Sequence, residues 1–193
     1  MKAVQSLPEG YLEIYSCDLK KDTNLSLLIN GIAIGITAVL MLLGRCLVPL
    51  GQLSVLSREI GTLPVLLCVF GLLGVYIILH EAVHGLAMKI VGTPKVRYGF
   101  TGLYAYAGSD DYYNRKAYFF IALAPVVLWG GVLAVACAVV PSPWFWVIYF
   151  TQMQNIGGAA GDFYVTVKFS RFSKDILVRD YGVGMKVFDK KQL

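Results

Sequence analysis

Long apolar runs are the feature that most limits what this chain can fold into. Four stretches of 18 residues or more carry almost no charge, at 25–43, 62–88, 117–140 and 143–167. An apolar run of about 18 residues can cross the hydrocarbon core of a bilayer as a helix. Lipid cannot satisfy the polar groups of the backbone, so a helix is the expected form. The sequence therefore predicts an all-α integral membrane protein with four transmembrane helices in a single membrane-embedded domain, 1–193.

Composition agrees with this prediction and excludes other classes of protein. Hydrophobic residues make up 57% of the chain and charged residues 15%, whereas soluble domains carry about 25% charged residues. So little charge cannot cover a soluble globule of this size. The basic residues also fall in short blocks between the apolar runs, which excludes a nucleic-acid-binding module with an extended basic surface. The lipid bilayer is the expected surrounding.

The distribution of Lys and Arg predicts the orientation in the membrane. With four spans, the N-terminal tail 1–24, the loop between the second and third spans, and the C-terminal tail 168–193 share one side. Those segments carry 15 Lys and Arg residues, and the opposite side carries only Arg45 and Arg58. Because positively charged segments stay in the cytosol, we expect a multi-pass protein of the cytoplasmic (plasma) membrane with both termini cytosolic.

Short strands are predicted on the cytosolic side. The segment 95–109 alternates and is rich in Tyr, which is typical of a β-hairpin. Its strand edge could hold an unwound substrate by strand addition, or the segment could be an interfacial loop, since Tyr is common at interfaces. The tails alternate weakly at 11–19 and 176–188 and could pair as a small sheet. Asp110 and Asp111 are predicted to cap the third span.

The second apolar run contains the sequence His80-Glu81-Ala82-Val83-His84, with the only two histidines of the chain. Residues four apart lie on one face of a helix, so both imidazoles can reach one ion. Glu81 points in a neighbouring direction, where it can act on water rather than on the metal. Ionisable groups inside a span are costly and are functional candidates by default. We predict that His80 and His84 bind zinc and that Glu81 is the general base.

Catalytic zinc takes three protein ligands and keeps one open position. Apart from Glu81, Asp162 is the only acidic residue within the four apolar runs. Counted from the outer ends of their spans, the histidine pair and Asp162 lie at similar depths, roughly 30 Å and 28 Å at 1.5 Å per residue. We therefore predict Asp162 as the third ligand. The alternative is an Asp that snorkels at the end of a helix.

Small and polar residues precede Asp162. Gly157 and Gly161 form a GxxxG pair, which lets helices approach closely and predicts that span four packs against span two. Asn155 lies two turns before Asp162 on roughly the same face. Two roles remain open for its amide: donation to a developing oxyanion or to the substrate backbone, or an interhelical hydrogen bond.

This combination of motifs resembles the DUF3267 family of bacterial zincin peptidases over about residues 7–183. It is also similar in layout to the site-2 proteases, in which an HExxH on one span and an Asp on a later span bind zinc, and helices are cleaved near the membrane. One departure is Phe163, which follows the Asp where site-2 proteases usually have a longer Leu-Asp-Gly signature. The resemblance implies peptidase activity and a Zn2+ cofactor. The residues that carry it are His80, Glu81, His84, Asn155, Gly161 and Asp162.

The expected function is that of a zinc-dependent intramembrane or juxtamembrane endopeptidase using a metal-activated water. Its substrate would be a membrane protein or peptide. The alternative is a non-catalytic metal-binding membrane scaffold that retains the protease fold. A metal transporter ranks last, because it predicts polar residues along several spans and the third run contains no charge. The sequence predicts no oligomeric state.

Overall fold

A computed structural model describes residues 3–102 and 104–190, so that Lys2, Leu103 and Lys191 of the predicted segments lie outside the described residues. The described chain is mostly helical, with short antiparallel strands. The helices are α1 (Thr23–Leu47), α2 (Gly51–Ile60), α3 (Thr62–Ile90), α4 (Arg115–Val139), α5 (Phe145–Gly158) and α6 (Ala160–Ser170). The strands are β1 (Tyr11–Asp18), β2 (Arg97–Phe100), β3 (Ala105–Gly108), β4 (Tyr112–Asn114), β5 (Leu177–Asp180) and β6 (Gly184–Lys190).

Within the described residues, three helices, α1, α3 and α4, are long and apolar enough to cross a membrane. They agree with the first three predicted runs to within four residues at each end. In the most apolar window of each helix, only 11% to 22% of the residues are buried. Leu67 and Phe70 on α3, for example, are 65% and 67% exposed. A soluble surface rarely carries so much exposed apolar area, so these faces suit contact with lipid.

The fourth predicted span, 143–167, is not one helix. A short 3₁₀ turn at Ser142–Trp144 leads into α5, and the helix is interrupted at Ala159 before α6 begins. The interruption follows Gly157 and Gly158, and glycine is a poor helix former because it loses the most backbone entropy on ordering. At 14 and 11 residues, α5 and α6 are each too short for a straight crossing. Four transmembrane helices are therefore not confirmed.

The chain divides into two compact units. The first, here called the sheet unit, takes its described residues from 3–29, 81–124 and 161–190. Its sheet has the antiparallel order β1-β6-β5-β4, so the predicted pairing of the two tails is confirmed. The sheet and the parts of α3, α4 and α6 in this unit share one core. Its largest buried side chains include those of Met88, Tyr113, Ile121, Phe169, Val178 and Val187.

Strands β2 and β3 form an antiparallel hairpin within the sheet unit, with Arg97 opposite Gly108. The predicted hairpin at 95–109 is therefore confirmed. A Cβ on Gly108 would lie 2.5 Å from the carbonyl carbon of Tyr181, so only glycine allows the end of β3 to come this close to the turn between β5 and β6.

Asp110 holds the end of the hairpin against β5. Its carboxylate accepts hydrogen bonds from the guanidinium groups of Arg97 and Arg179. The prediction that Asp110 and Asp111 cap the third span is wrong, because β4 follows them. Instead, the side-chain oxygen of Asn114 accepts a hydrogen bond of 2.8 Å from the N–H of Ala117 in the first turn of α4.

The second unit, here called the helical unit, comprises Asn30–His80 and Pro125–Ala160. Aromatic residues at the start of α5 attach this helix to the rest of the helical unit. The Tyr149 hydroxyl donates to the carbonyl of Leu40 at 2.7 Å, inside α1. Gly157 also faces α1, since a Cβ there would collide with the hydroxyl oxygen of Thr37. The prediction that the GxxxG pair packs span four against span two is therefore wrong for Gly157.

Candidate metal centre

Helix α3 runs unbroken through both histidines, which places them one turn apart on the same face. His80, His84 and Asp162 each offer one potential ligand atom, and these atoms all lie within 4.8 Å of one another. The described structure thus brings together the three residues that the sequence predicted as metal ligands. Their role as ligands stays a prediction.

The hydrogen bond of His84 fixes which of its ring nitrogens can bind a metal. Its Nδ1 lies 2.9 Å from the carbonyl oxygen of Ile121 on α4. A carbonyl oxygen can only accept a hydrogen bond, so Nδ1 carries the hydrogen of the neutral ring. The Nε2 atom then carries a lone pair, which is the form that binds metals.

The separation of His84 and Asp162 fits a pair of zinc ligands. His84 Nε2 lies 3.7 Å from Asp162 Oδ1, which is too long for a hydrogen bond. Two ligands of a tetrahedral zinc, each bonded at about 2.1 Å, are separated by about 3.4 Å. With the ring neutral, the lone pair of Nε2 and the carboxylate oxygen repel each other, and a cation between them would remove this repulsion. The donor set and its spacing therefore fit a zinc ion.

The interruption at Ala159 accounts for the position of Asp162. Because a new helix begins at Ala160, Asp162 lies in the first turn of α6, where the helix dipole favours a negative charge. The side chains of Asp162 and His84 are 23% and 12% exposed. The predicted depth of Asp162 was counted along one straight helix, whereas the chain reaches Asp162 through two helices, α5 and α6.

His80 is held by a chain of polar contacts inside the helical unit. The hydroxyl of Tyr76 lies 2.7 Å from His80 Nδ1 and donates to Asn155 Oδ1 at 2.9 Å. Asn155 Nδ2 donates to the carbonyl of Val126 at 3.3 Å. The sequence left two roles open for Asn155. These contacts, which join α5 to α3 and α4, correspond to the interhelical hydrogen bond. Tyr76 was not predicted from the sequence, although its place four residues before His80 on the same helix face was a usable signal.

Glu81 contacts the hairpin within the sheet unit. Its partly buried carboxylate accepts a hydrogen bond from the backbone N–H of Ala107 in β3. One turn further along α3, Gly85 lies against the hydroxyl of Tyr98 in β2, so closely that a Cβ would collide with it. Both strands of the hairpin therefore contact the last turns of α3, and the carboxylate of Glu81 lies at the edge of β3.

Asp180 is a half-buried acidic group that was not predicted from the sequence. Its carboxylate accepts hydrogen bonds from the N–H of Gly182 at 2.9 Å and from the hydroxyl of Tyr118 at 3.1 Å. It is close enough to His84 and Asp162 for their charges to interact. Burial raises the pKa of Asp180 from its ordinary value of 3.8 to about 6. No sequence pattern indicates Asp180, because it belongs to a polar tail outside the apolar runs.

The raised pKa of Asp180 predicts a specific pH dependence of stability. Between pH 3.8 and about 6 the folded state binds this proton and the unfolded state does not, so stability falls as the pH rises through this window. In the wild type the free energy of unfolding should fall by about 3 kcal/mol at most across this window, and Asp180→Asn should remove this fall. The measurement is the melting temperature of the metal-free protein against pH. Asp175→Asn, at an exposed aspartate, should keep the wild-type profile, and an unchanged profile in Asp180→Asn would contradict the prediction.

The fold and the site together define a mainly helical protein with three helices apolar enough to span a membrane. The histidines of an HExxH sequence lie on one of these helices, and Asp162 lies on α6 with a ligand atom close to theirs. The chain belongs to the DUF3267 family, described as "Putative zincin peptidase", whose match covers residues 73–177. This match includes Tyr76, the HExxH sequence, Asn155 and Asp162, and it ends before Asp180. The predicted resemblance to this family is thereby confirmed. No curated protein and no solved structure matches the chain significantly.

Proposed function

We propose that the protein is a zinc-dependent endopeptidase that cleaves peptides within or beside a membrane. The observation that carries this proposal is the group of ligand atoms on His80, His84 and Asp162, with Glu81 adjacent to the first histidine. Two imidazoles and one carboxylate are a donor set of catalytic zinc sites, and three protein ligands leave a position for water. Membership of a family described as zincin peptidases supports the same function.

In the proposed mechanism, metal binding and proton transfer are carried out by different residues. His80, His84 and Asp162 would hold zinc, which supplies a Lewis acid for the scissile carbonyl and for water when it is bound. Glu81 is rotated about 100° from His80 around the helix, and its carboxylate is held by the N–H of Ala107. In the proposed mechanism Glu81 accepts a proton from the attacking water and delivers it to the leaving amine.

The hairpin beside Glu81 supports a peptide substrate bound in an extended form. Among the described strands, β2 and β3 pair with each other in a two-stranded sheet, and β3 contacts Glu81 at Ala107, so a peptide strand added to this hairpin would lie near Glu81. An extended peptide added there would expose bonds that a helix shields. Tyr98 and Phe100 of β2 are 57% and 72% exposed, which suits the boundary between membrane and water. This position favours substrates that are at least partly embedded in the membrane.

The pairing of the tails supports the proposed topology. Strand β1 precedes α1 and pairs with β6, which follows α6. This pairing supports a topology in which both tails lie on one side of the membrane, with an even number of crossings between them. If α1, α3 and α4 each cross, α5 and α6 together supply the fourth crossing as a broken helix, a form found where it lines a site. The bias of Lys and Arg assigns the tails to the cytosolic side of the cytoplasmic membrane.

The proposed activity should depend on metal. Membranes containing the protein are treated with a zinc chelator, and newly formed peptide N-termini are identified by terminal labelling and mass spectrometry. We expect N-termini that are absent from membranes without the protein, that disappear with the chelator, and that return on addition of zinc. Persistence of these N-termini in the chelator would exclude a metallopeptidase. Bound zinc without any new N-termini would favour the metal-binding scaffold.

A further inference from the structure

We propose that Tyr76 and Asn155 are positioning residues that hold the His80 ring in the tautomer that binds metal. The inference deepens the proposed function, because it rests on His80 being a metal ligand. It depends on contacts that all lie inside the helical unit. The roles of donor and acceptor along these contacts can be assigned one after another, starting from a backbone carbonyl.

The carbonyl of Val126 on α4 fixes the orientation of the Asn155 amide. Asn155 Nδ2 lies 3.3 Å from this carbonyl oxygen, which can only accept a hydrogen bond. The NH2 group of the amide must therefore face Val126. The opposite end, Oδ1, faces the Tyr76 hydroxyl at 2.9 Å. Asn155 is completely buried, so water cannot replace these partners.

The orientation of Asn155 then fixes the tautomer of His80. Oδ1 has no hydrogen, so the single hydroxyl hydrogen of Tyr76 is donated to Asn155. Towards His80 Nδ1, at 2.7 Å, the hydroxyl oxygen can only accept. His80 Nδ1 must carry the ring hydrogen, and the neutral ring presents the lone pair of Nε2. This is the same tautomer that the Ile121 carbonyl fixes for His84.

The cost of burying these groups supports a role beyond packing. Tyr76 is 5% exposed and Asn155 is completely buried in an apolar part of the chain. Burying a polar group in such surroundings costs free energy unless hydrogen bonds fully replace those it made to water. An apolar side chain would avoid that cost. Partners of this kind orient a metal-binding histidine, and their loss typically weakens metal binding about 10- to 100-fold.

The experiment measures the tautomer directly, in the absence of metal. The protein contains two histidines, so histidine labelled with 15N gives two sets of ring signals. Spectra are recorded on metal-free protein in detergent at mildly alkaline pH, and the 15N shifts themselves show which ring nitrogen carries hydrogen. In the wild type both rings should carry hydrogen on Nδ1. In Tyr76→Phe, which keeps the aromatic ring and removes the hydroxyl, His80 should shift towards the Nε2–H form while His84 stays unchanged.

Zinc affinity is the second measurement. Tyr76→Phe should weaken zinc binding about 10- to 100-fold. The matched control is Tyr149→Phe, which removes another hydroxyl from the helical unit, one that donates to a carbonyl of α1. It should leave both the His80 tautomer and the zinc affinity at their wild-type values. Asn155→Leu should reproduce the change of tautomer, because Tyr76 is then free to donate its hydrogen to His80.

Two results would overturn this proposal. One is an unchanged His80 tautomer in Tyr76→Phe, and the other is an equal loss of zinc affinity in Tyr149→Phe, which would indicate a general effect on structure. Failure of the proposed function is distinguishable from both. If the wild type binds no zinc, the proposed metal centre is wrong, while the spectra of the metal-free protein still decide whether Tyr76 and Asn155 set the tautomer.

Discussion

Glu81→Gln is expected to abolish peptide-bond hydrolysis while leaving zinc binding intact. The substitution keeps the shape of the side chain and an oxygen that can accept the hydrogen bond from Ala107. It removes the carboxylate that takes the proton from water. General-base catalysis typically contributes a factor of 10² to 10⁴, so hydrolysis should fall about 100-fold or more. Zinc content should not change, because Glu81 does not belong to the group of candidate ligands.

The measurement compares new peptide N-termini in membranes that contain wild-type protein or Glu81→Gln, at equal protein and zinc content. Glu59→Gln is the matched control, since it makes the same chemical change at an exposed residue of α2 and should retain full activity. Full activity in Glu81→Gln would show that the proposed mechanism is wrong. Loss of zinc together with activity would show instead that Glu81 supports the metal site.

Removal of either His84 or Asp162 is expected to eliminate bound zinc. Each would supply one of three protein ligands, and their facing atoms lie 3.7 Å apart. Loss of a residue that only supports a ligand weakens binding about 10- to 100-fold, so loss of a ligand should exceed this range. We expect about one zinc per wild-type chain and none retained after dialysis in His84→Ala or Asp162→Ala. Elemental analysis of the detergent-purified protein measures this directly.

The control for this experiment is Asp175→Ala, which removes an exposed carboxylate close to the C-terminal sheet. It should retain the zinc content of the wild type. If Asp162→Ala also retains it, then Asp162 is not a ligand, and its position beside His84 reflects only the packing of α6. If His84→Ala and Asp162→Ala lose zinc but remain folded by thermal unfolding, the prediction from the sequence holds for both residues.

The ligands could be predicted from the sequence because of local spacing and the cost of burial. The interval between His80 and His84 places two imidazoles on one helix face whatever surrounds them. Asp162 was found because, apart from Glu81, no other acid lies in the apolar runs. The spacing of Tyr76 from His80 was a local signal, but the contacts of Tyr76 with Asn155 and of Asp180 with Tyr118 join residues 79 and 62 positions apart. No local pattern encodes such partners.

The fold also has parts that the sequence predicts and parts that depend on the tertiary structure. Apolar length and alternation by themselves determined α1, α3, α4, the hairpin and the strands of the two tails, because hydrophobic burial and backbone hydrogen bonding act on each segment separately. Only the tertiary structure decided that the fourth apolar run breaks at Ala159, that Gly157 packs on α1, and that the C-terminal tail brings Asp180 close to His84. These features depend on contacts between distant segments, whose energies exceed the small local preferences that a sequence pattern records.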